Sequence, residues 1–230
     1  MHGSAQPRPY PSHKITAILF ILLGITALGS MALLLSVTDT SQLKGLIEDS
    51  GPVQMVGQTA IALAFAISLY FVLADNKRRS AYLSLSYLLL FYTLREADYH
   101  YKLSEHAKAS QFKRFFSHEM IPLSSKLFLA AIVILFLTVF YRYLRDEKAG
   151  FLRALRDKLP WALITFAWAG VAFLSQLIDQ LPVFHTVTGQ VFEEIFESTA
   201  EILVLMGMIV FRIQIWGDGA VRLSENSRRR

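Results

Sequence analysis

The sequence predicts an all-α fold: a polytopic membrane helical bundle of about six transmembrane helices, with both termini in the cytoplasm. Of its 230 residues, 53% are hydrophobic and only 18% are charged. Soluble globular chains carry roughly 25% charged residues. The apolar residues are gathered in runs of about 20, the length that a helix needs to cross a bilayer core of roughly 30 Å. The Lys and Arg residues stand mainly between these runs and favour one side of the membrane.

Each apolar run has a recognisable beginning or end. The first resembles a signal peptide with a small-residue site at 27–29, but its apolar stretch continues beyond that site, so we expect an uncleaved helix. The basic sequence 76–79 ends the second run, Pro122 and Pro160 suit the first turns of the fourth and fifth, and Gly217 ends the sixth. The expected spans are about 15–37, 55–75, 80–101, 121–143, 160–180 and 189–216.

The remaining segments are short. We expect a cytoplasmic tail at 1–14, a transmembrane domain at 15–217 and a basic cytoplasmic tail at 218–230, with no separate soluble domain. The loop at 102–120 mixes basic and aromatic residues, as in the run 112–116. This composition is typical of an amphipathic helix that lies on the membrane surface, here on the outer side.

The distribution of Lys and Arg predicts the orientation. Counted with the adjoining helix ends, the N-terminus carries two of them, the loop after the second span three, the loop after the fourth span six (with Arg142) and the C-terminal segment five (with Arg212). The opposite loops together carry five. By the positive-inside rule both termini are cytoplasmic, which requires an even number of spans. This bias, with the short loops, is typical of a bacterial inner (cytoplasmic) membrane protein.

Composition also excludes several classes of function. The net charge of +5 does not indicate a nucleic-acid partner, because the basic residues stand at helix ends, where they meet membrane lipids. The absence of cysteine from the sequence excludes disulfides, thiolate nucleophiles and Cys-based metal sites. Glycine-rich nucleotide-binding motifs are absent as well.

Polar residues gather at the non-cytoplasmic ends of spans three to six, whereas the cytoplasmic halves of the spans read as almost purely apolar. Glu194, Glu197 and Glu201 share one face of the sixth helix at spacing i, i+3, i+7. A carboxylate as deep as Glu201 persists in a bilayer only when it is paired, protonated or facing a wet cavity. We expect Arg95 or Lys126 to pair with Glu197 or Glu201. The wider polar cluster contains Arg95, Asp98, Lys126, Asp179, Glu193 and Glu194.

Three interpretations of this cluster remain open. The first is a non-catalytic assembly, sensing or scaffold component, in which the cluster fixes the fold or meets a protein partner or a second copy of the chain. It stands first because it demands least of the sequence. Intramembrane ionisable residues are nevertheless hypotheses for functional sites in their own right.

The second interpretation is a membrane-embedded, metal-dependent hydrolase that acts on a lipid or periplasmic substrate. Helical bundles can build carboxylate-rich sites for a divalent metal, which activates water. The candidate catalytic residues are Glu96, His100, Glu197 and Glu201, and the candidate metal ligands are His100, Glu194 and Glu197. The sequence contains no Glu-x-x-His motif to strengthen this hypothesis.

The third interpretation is a small proton- or cation-coupled transporter. Glu197 and Glu201 would carry the proton or cation, with Arg95 as the counter-charge. Alternating access needs a polar path to both sides of the membrane. The one-sided polarity of the spans therefore favours the enzyme over the transporter.

Overall fold

The structure is a computed structural model in which residues 12–47, 51–96, 116, 121–181 and 186–228 are described. The prediction of an all-α fold is confirmed, since these residues form helices and short connections and contain no strand. In chain order the helices are α1 Ser12–Leu35, α2 Thr40–Ile47, α3 Pro52–Ala74, α4 Arg79–Glu96, α5 Leu123–Arg156, α6 Pro160–Gln180 and α7 Val187–Arg228.

Four segments of the described part of the chain are long and apolar enough to cross a membrane: Lys14–Leu35, Leu123–Arg156, Pro160–Ile178 and the range Thr40–Ala74, which contains α2 and α3. Large apolar side chains on their surfaces are widely exposed, for example Leu33 at 71% and Leu73 at 73%. Water disfavours contiguous apolar surface, whereas lipid tails are as apolar as leucine. These helices indicate an integral membrane protein.

The other two expected spans lie in α4 and α7, which are less apolar. Arg79, Arg95 and Glu96 lie in α4, and α7 carries four glutamates and Arg212 within its apolar stretch. Each such charge is costly inside a bilayer, so neither helix is apolar enough to be identified as a membrane span by composition alone. Six spans with cytoplasmic termini stay a prediction.

Two helices continue beyond the expected spans. With 34 residues, α5 is about 51 Å long and runs to Arg156. The basic segment after 143, which we expected to be a loop, is therefore helical over most of its length. Lys158, in the left-handed region at φ 54°, then separates α5 from Pro160, the first residue of α6. With 42 residues, α7 reaches Arg228, so Gly217 does not end it and the tail expected at 218–230 is largely helical.

Two connecting segments between the expected spans differ from one another in how much of them is described. The segment between the first and second spans contains α2, which was not predicted. Asp39 precedes this helix, and its carboxylate accepts hydrogen bonds from the amide (2.8 Å) and hydroxyl (2.7 Å) of Ser41. The amphipathic loop expected at 102–120 lies outside the described residues, apart from Phe116.

The chain divides into two compact units, which are described separately. The first unit comprises Met1–Gly57 and Leu155–Arg230. In it α7 packs along α6 and also contacts α1 and α2. At Gly207 of α7 an added Cβ would make ordinary van der Waals contact with α6, 3.4 Å from Cγ2 of Ile164. Two apolar clusters form the core, one of Leu34, Leu43, Ile47, Val191 and Ile195 and the other of Ile164, Leu203 and Val210.

The second unit, Gln58–Ala154, is held together by aromatic and hydroxyl contacts. The hydroxyls of Ser68 and Ser86 lie 2.7 Å apart and join α3 to α4. Between α4 and α5 the rings of Phe91 and Phe136 stack at a centroid separation of 4.1 Å. Such van der Waals and hydrogen-bond contacts are what associates helices in lipid, where the solvent is itself apolar.

Candidate functional site

The acidic face of α7 is the part of the predicted polar cluster that the structure describes most fully. Glu193, Glu194 and Glu197 are half-buried, and Glu201 is 2% exposed. Each of the four carboxylates takes part in at least one hydrogen bond, ion pair or electrostatic interaction. The face is therefore built into the fold, and its burial increases with distance from the start of the helix.

Glu201 lies against the beginning of α3. A Cβ atom added at Gly57 would overlap Oε2 of Glu201 and would come within 3.0 Å of the Cα of Ser198. Glycine has no side chain, so it lets the two helices approach this closely. The carboxylate thus fills the space that a side chain at position 57 would occupy.

One turn earlier along α3 and α7, a hydrogen bond makes a second contact between the two helices. The hydroxyl of Ser198 donates to the main-chain carbonyl of Val53 at 2.8 Å. Ser198 is itself buried, at 8% exposure. Because the acceptor is a backbone atom near the start of α3, the bond fixes the position of the helix rather than that of a single side chain. Two successive turns of α7 are therefore in contact with the first turns of α3.

Another side-chain contact joins α7 to α6. The amide nitrogen Nε2 of Gln176 donates to Oε1 of Glu197 at 3.3 Å. Nearby on α6, the hydroxyl of Ser175 is fully buried. Together with Ser198 and Glu201, these residues place polar side chains on two helices of the first unit, α6 and α7, at contacts between helices.

The remaining predicted residues are distributed as follows. Arg95 and Glu96 end α4 and Lys126 lies on α5, all in the second unit, while Asp179 lies near the end of α6 in the first unit. Asp98 and His100 lie outside the described residues. The pairing of Arg95 or Lys126 with Glu197 or Glu201 stays a prediction.

The described ranges contain no group of three or more His, Asp or Glu residues placed to hold a metal ion. The predicted ligands Glu194 and Glu197 lie on one helix, three residues apart. The third predicted ligand, His100, is outside those ranges. The metal centre therefore stays a prediction, and of the described glutamates Glu197 and Glu201 contact neighbouring helices.

Some polar residues are also buried in the halves of the spans that are predicted to be cytoplasmic. In the first unit, Thr16 on α1 and Arg212 and Gln214 on α7 are buried within the parts of these helices that are predicted to be on the cytoplasmic side. In the second unit, Ser68 and Ser86 are buried where α3 meets α4. Polar residues thus lie at helix contacts through much of the depth of each unit, and in the serine pair the hydroxyls meet each other between the helices.

Gly57 is not among the predicted site residues, although it makes the closest contact with one. A single glycine within an apolar run was the available signal, since small residues mark close helix contacts in membranes. Its partner on α7 could not be identified from that signal.

The chain matches no protein-family profile, no curated protein and no solved structure.

Proposed function

We propose that this protein is a non-catalytic, multi-pass membrane component with an assembly, sensing or scaffold role. In this proposal the acidic face of α7 holds helices together and is not a reaction centre. The observation that carries the proposal is the burial of Glu201 against Gly57. A reaction centre must leave room for a substrate beside its carboxylate, whereas here the carboxylate occupies the space beside the glycine.

The hydrogen bonds support the same role. Ser198 is bonded to the backbone of α3 and Glu197 to Gln176 of α6, so two of the polar side chains on this face are engaged between helices. Hydrogen bonds of this kind contribute about 0.6 kcal/mol each, on average, in a membrane bundle. Their larger effect is on which faces meet, because only one rotation of α7 satisfies them together.

The proposed setting is a bacterial inner membrane, with six spans and both termini in the cytoplasm. The support is the excess of Lys and Arg on one set of segments and the four apolar helices. The natural sequence has no cysteine, so a single cysteine introduced by Asn76→Cys reports the side on which the α3–α4 connection lies. A membrane-impermeant thiol reagent should label it only after the cytoplasmic side is opened; labelling from outside would refute the topology.

Metal content and stability test the function together. The protein is purified in mild detergent without chelators, beside a Glu197→Gln, His100→Ala double variant and a Glu201→Ala variant. We expect no stoichiometric transition metal in any sample and a lower melting temperature for Glu201→Ala. A near-stoichiometric metal that is lost in the double variant would contradict the proposal and favour the metal-dependent hydrolase.

A further inference from the structure

A cleft of about 450 Å³ lies in the second unit, between the beginning of α4 and the middle of α5. Lys77, Arg78 and Arg142 line it, together with the hydroxyl-bearing Ser80 and Ser84. All of these side chains can donate hydrogen bonds, and the three cations give the donors a positive charge. The cleft is distinct from the acidic face of α7, which belongs to the first unit.

The turn before α4 positions two of the cations. The carboxylate of Asp75 accepts hydrogen bonds from the backbone amides of Lys77 (3.2 Å) and Arg78 (3.3 Å). The amide of Arg78 also donates to the main-chain carbonyl of Asp75 at 3.2 Å. An aspartate that binds the amides following it is a common way to fix a tight turn. Lys77 and Arg78 therefore enter the cleft from an ordered turn.

The charges of the lining favour one anion. Besides the three cations, the cleft is lined by two acids, Asp146 and Glu147. Asp146 is engaged by the neighbouring Arg145, whose Nε lies 3.0 Å from Oδ1. Because Arg145 offsets Asp146, the three cations of the lining outnumber its remaining acid, Glu147, and the cleft attracts an anionic group such as a phosphodiester. Lys, Arg and hydroxyl groups are also the usual donors to phosphate oxygens.

Apolar residues adjoin these donors. Leu83 and Val139 line the same cleft, and Leu83 is 51% exposed. On α5 the neighbouring Leu137 and Phe140 are exposed as well. A soluble phosphate compound has no apolar part to contact this surface, whereas a phospholipid has acyl chains beside its phosphate. The Lys and Arg distribution also predicts that this end of α4 and α5 faces the cytoplasm, where anionic headgroups lie.

We propose that the cleft binds the phosphodiester headgroup of an anionic phospholipid, with its acyl chains along the apolar surface of α4 and α5. Lys77, Arg78 and Arg142 bind the phosphate oxygens, and Ser80 and Ser84 donate further hydrogen bonds. Basic residues near a membrane attract anionic lipid generally. Because the cleft provides a defined binding site for one headgroup, its cations contribute more to binding than the cations of α5 outside the cleft.

The test compares matched double variants in mild detergent. Lys77→Gln, Arg142→Gln removes two cleft cations, and Lys148→Gln, Arg153→Gln removes two exposed cations of α5 outside the cleft. Binding of phosphatidylglycerol and of phosphatidylcholine is followed by native mass spectrometry. We expect the cleft variant to bind phosphatidylglycerol about tenfold more weakly and the control variant to stay within about twofold of the parent. Binding of phosphatidylcholine should change little in either.

Three results would overturn the proposal. An equal loss in both double variants would reduce the effect to general surface attraction, and no loss in either would remove the phosphate site. Inorganic phosphate that binds the parent protein as tightly as phosphatidylglycerol does would assign the cleft to a soluble ligand. The substituted side chains are exposed, so the variants are expected to fold; if melting shows otherwise for the cleft pair, Arg142→Gln alone provides the same comparison against Arg153→Gln.

Discussion

Glu201 of α7 lies against the backbone of α3 at Gly57, with its carboxylate in the space where any side chain at position 57 would stand. One turn earlier on both helices, Ser198 donates a hydrogen bond to the carbonyl of Val53 at 2.8 Å. The two contacts reinforce each other, because a shift of α7 that relieved one would break the other. They make the start of α3 part of the same compact unit as α7.

The close contact at Gly57 predicts that Gly57→Ala destabilises the protein by about 1–3 kcal/mol, the usual cost of overpacking. The added methyl group meets the Glu201 carboxylate and the backbone at Ser198, and the backbone cannot move aside without shifting a helix. Unfolding of the purified protein in detergent measures the loss. Gly170→Ala is the matched control, since nothing lies within 4 Å of a Cβ at Gly170. An equal effect of both substitutions would contradict the contact.

The hydroxyl pair between α3 and α4 predicts energetic coupling. Ser68 and Ser86 lie 2.7 Å apart, and each also lies 2.7 Å from a carbonyl of its own helix, that of Phe65 or Tyr82. We expect each single alanine variant to lose about 0.5–1.5 kcal/mol and the double variant to lose less than the sum, because the shared bond is lost once. Among the described residues the Thr138 hydroxyl donates to the carbonyl of Ile134 on its own helix and not to Ser68, so Thr138→Ala combined with Ser68→Ala should be additive. Additive losses for the serine pair would contradict the bond.

The turn before α2 predicts a pH dependence at Asp39. Hydrogen bonds from the hydroxyl and then the amide of Ser41 hold the pKa of this carboxyl below its ordinary value of 3.8. Because the pKa is lowered in the folded protein, the carboxylate stabilises α2 above pH 3.8, and the stabilisation is lost as the pH falls through the lowered pKa. Ser41→Ala should bring the pKa of Asp39 back towards 3.8, as measured by an NMR titration of its side chain. No change in the titration would show that the hydroxyl is not the main cause.

Local patterns predicted the helices well and their ends less well. Apolar runs and proline positions are local, and α6 begins at Pro160, as its position indicates. Charge after residue 143 was interpreted as a loop, but Leu144, Leu152 and Leu155 continue a helical pattern, and α5 extends to Arg156. Charge alone does not distinguish a helix that leaves the membrane from a loop, because both carry solvated Lys and Arg.

The contacts between helices could not be predicted from the sequence, for a different reason. The spacing of Glu194, Glu197 and Glu201 predicts a shared face, but spacing within one helix carries no information about the helix opposite. Gly57 and Val53 precede Glu201 and Ser198 by more than half the chain, and only the folded arrangement brings them together. The same limit applies to the pairing predicted for Arg95 and Lys126, which stays a prediction.

A cross-link between positions 53 and 198 tests most directly whether α7 is held against the start of α3. The protein has no cysteine, so Val53→Cys, Ser198→Cys can be treated in its native membrane with a short bifunctional thiol reagent. Val53→Cys, Ile209→Cys is the control, since Ile209 is exposed and lies about 16 Å farther along α7. We predict an intramolecular cross-link in the first pair and none in the control. Equal cross-linking of the two pairs, or none in the first, would contradict the interhelical contact on which the proposed function rests.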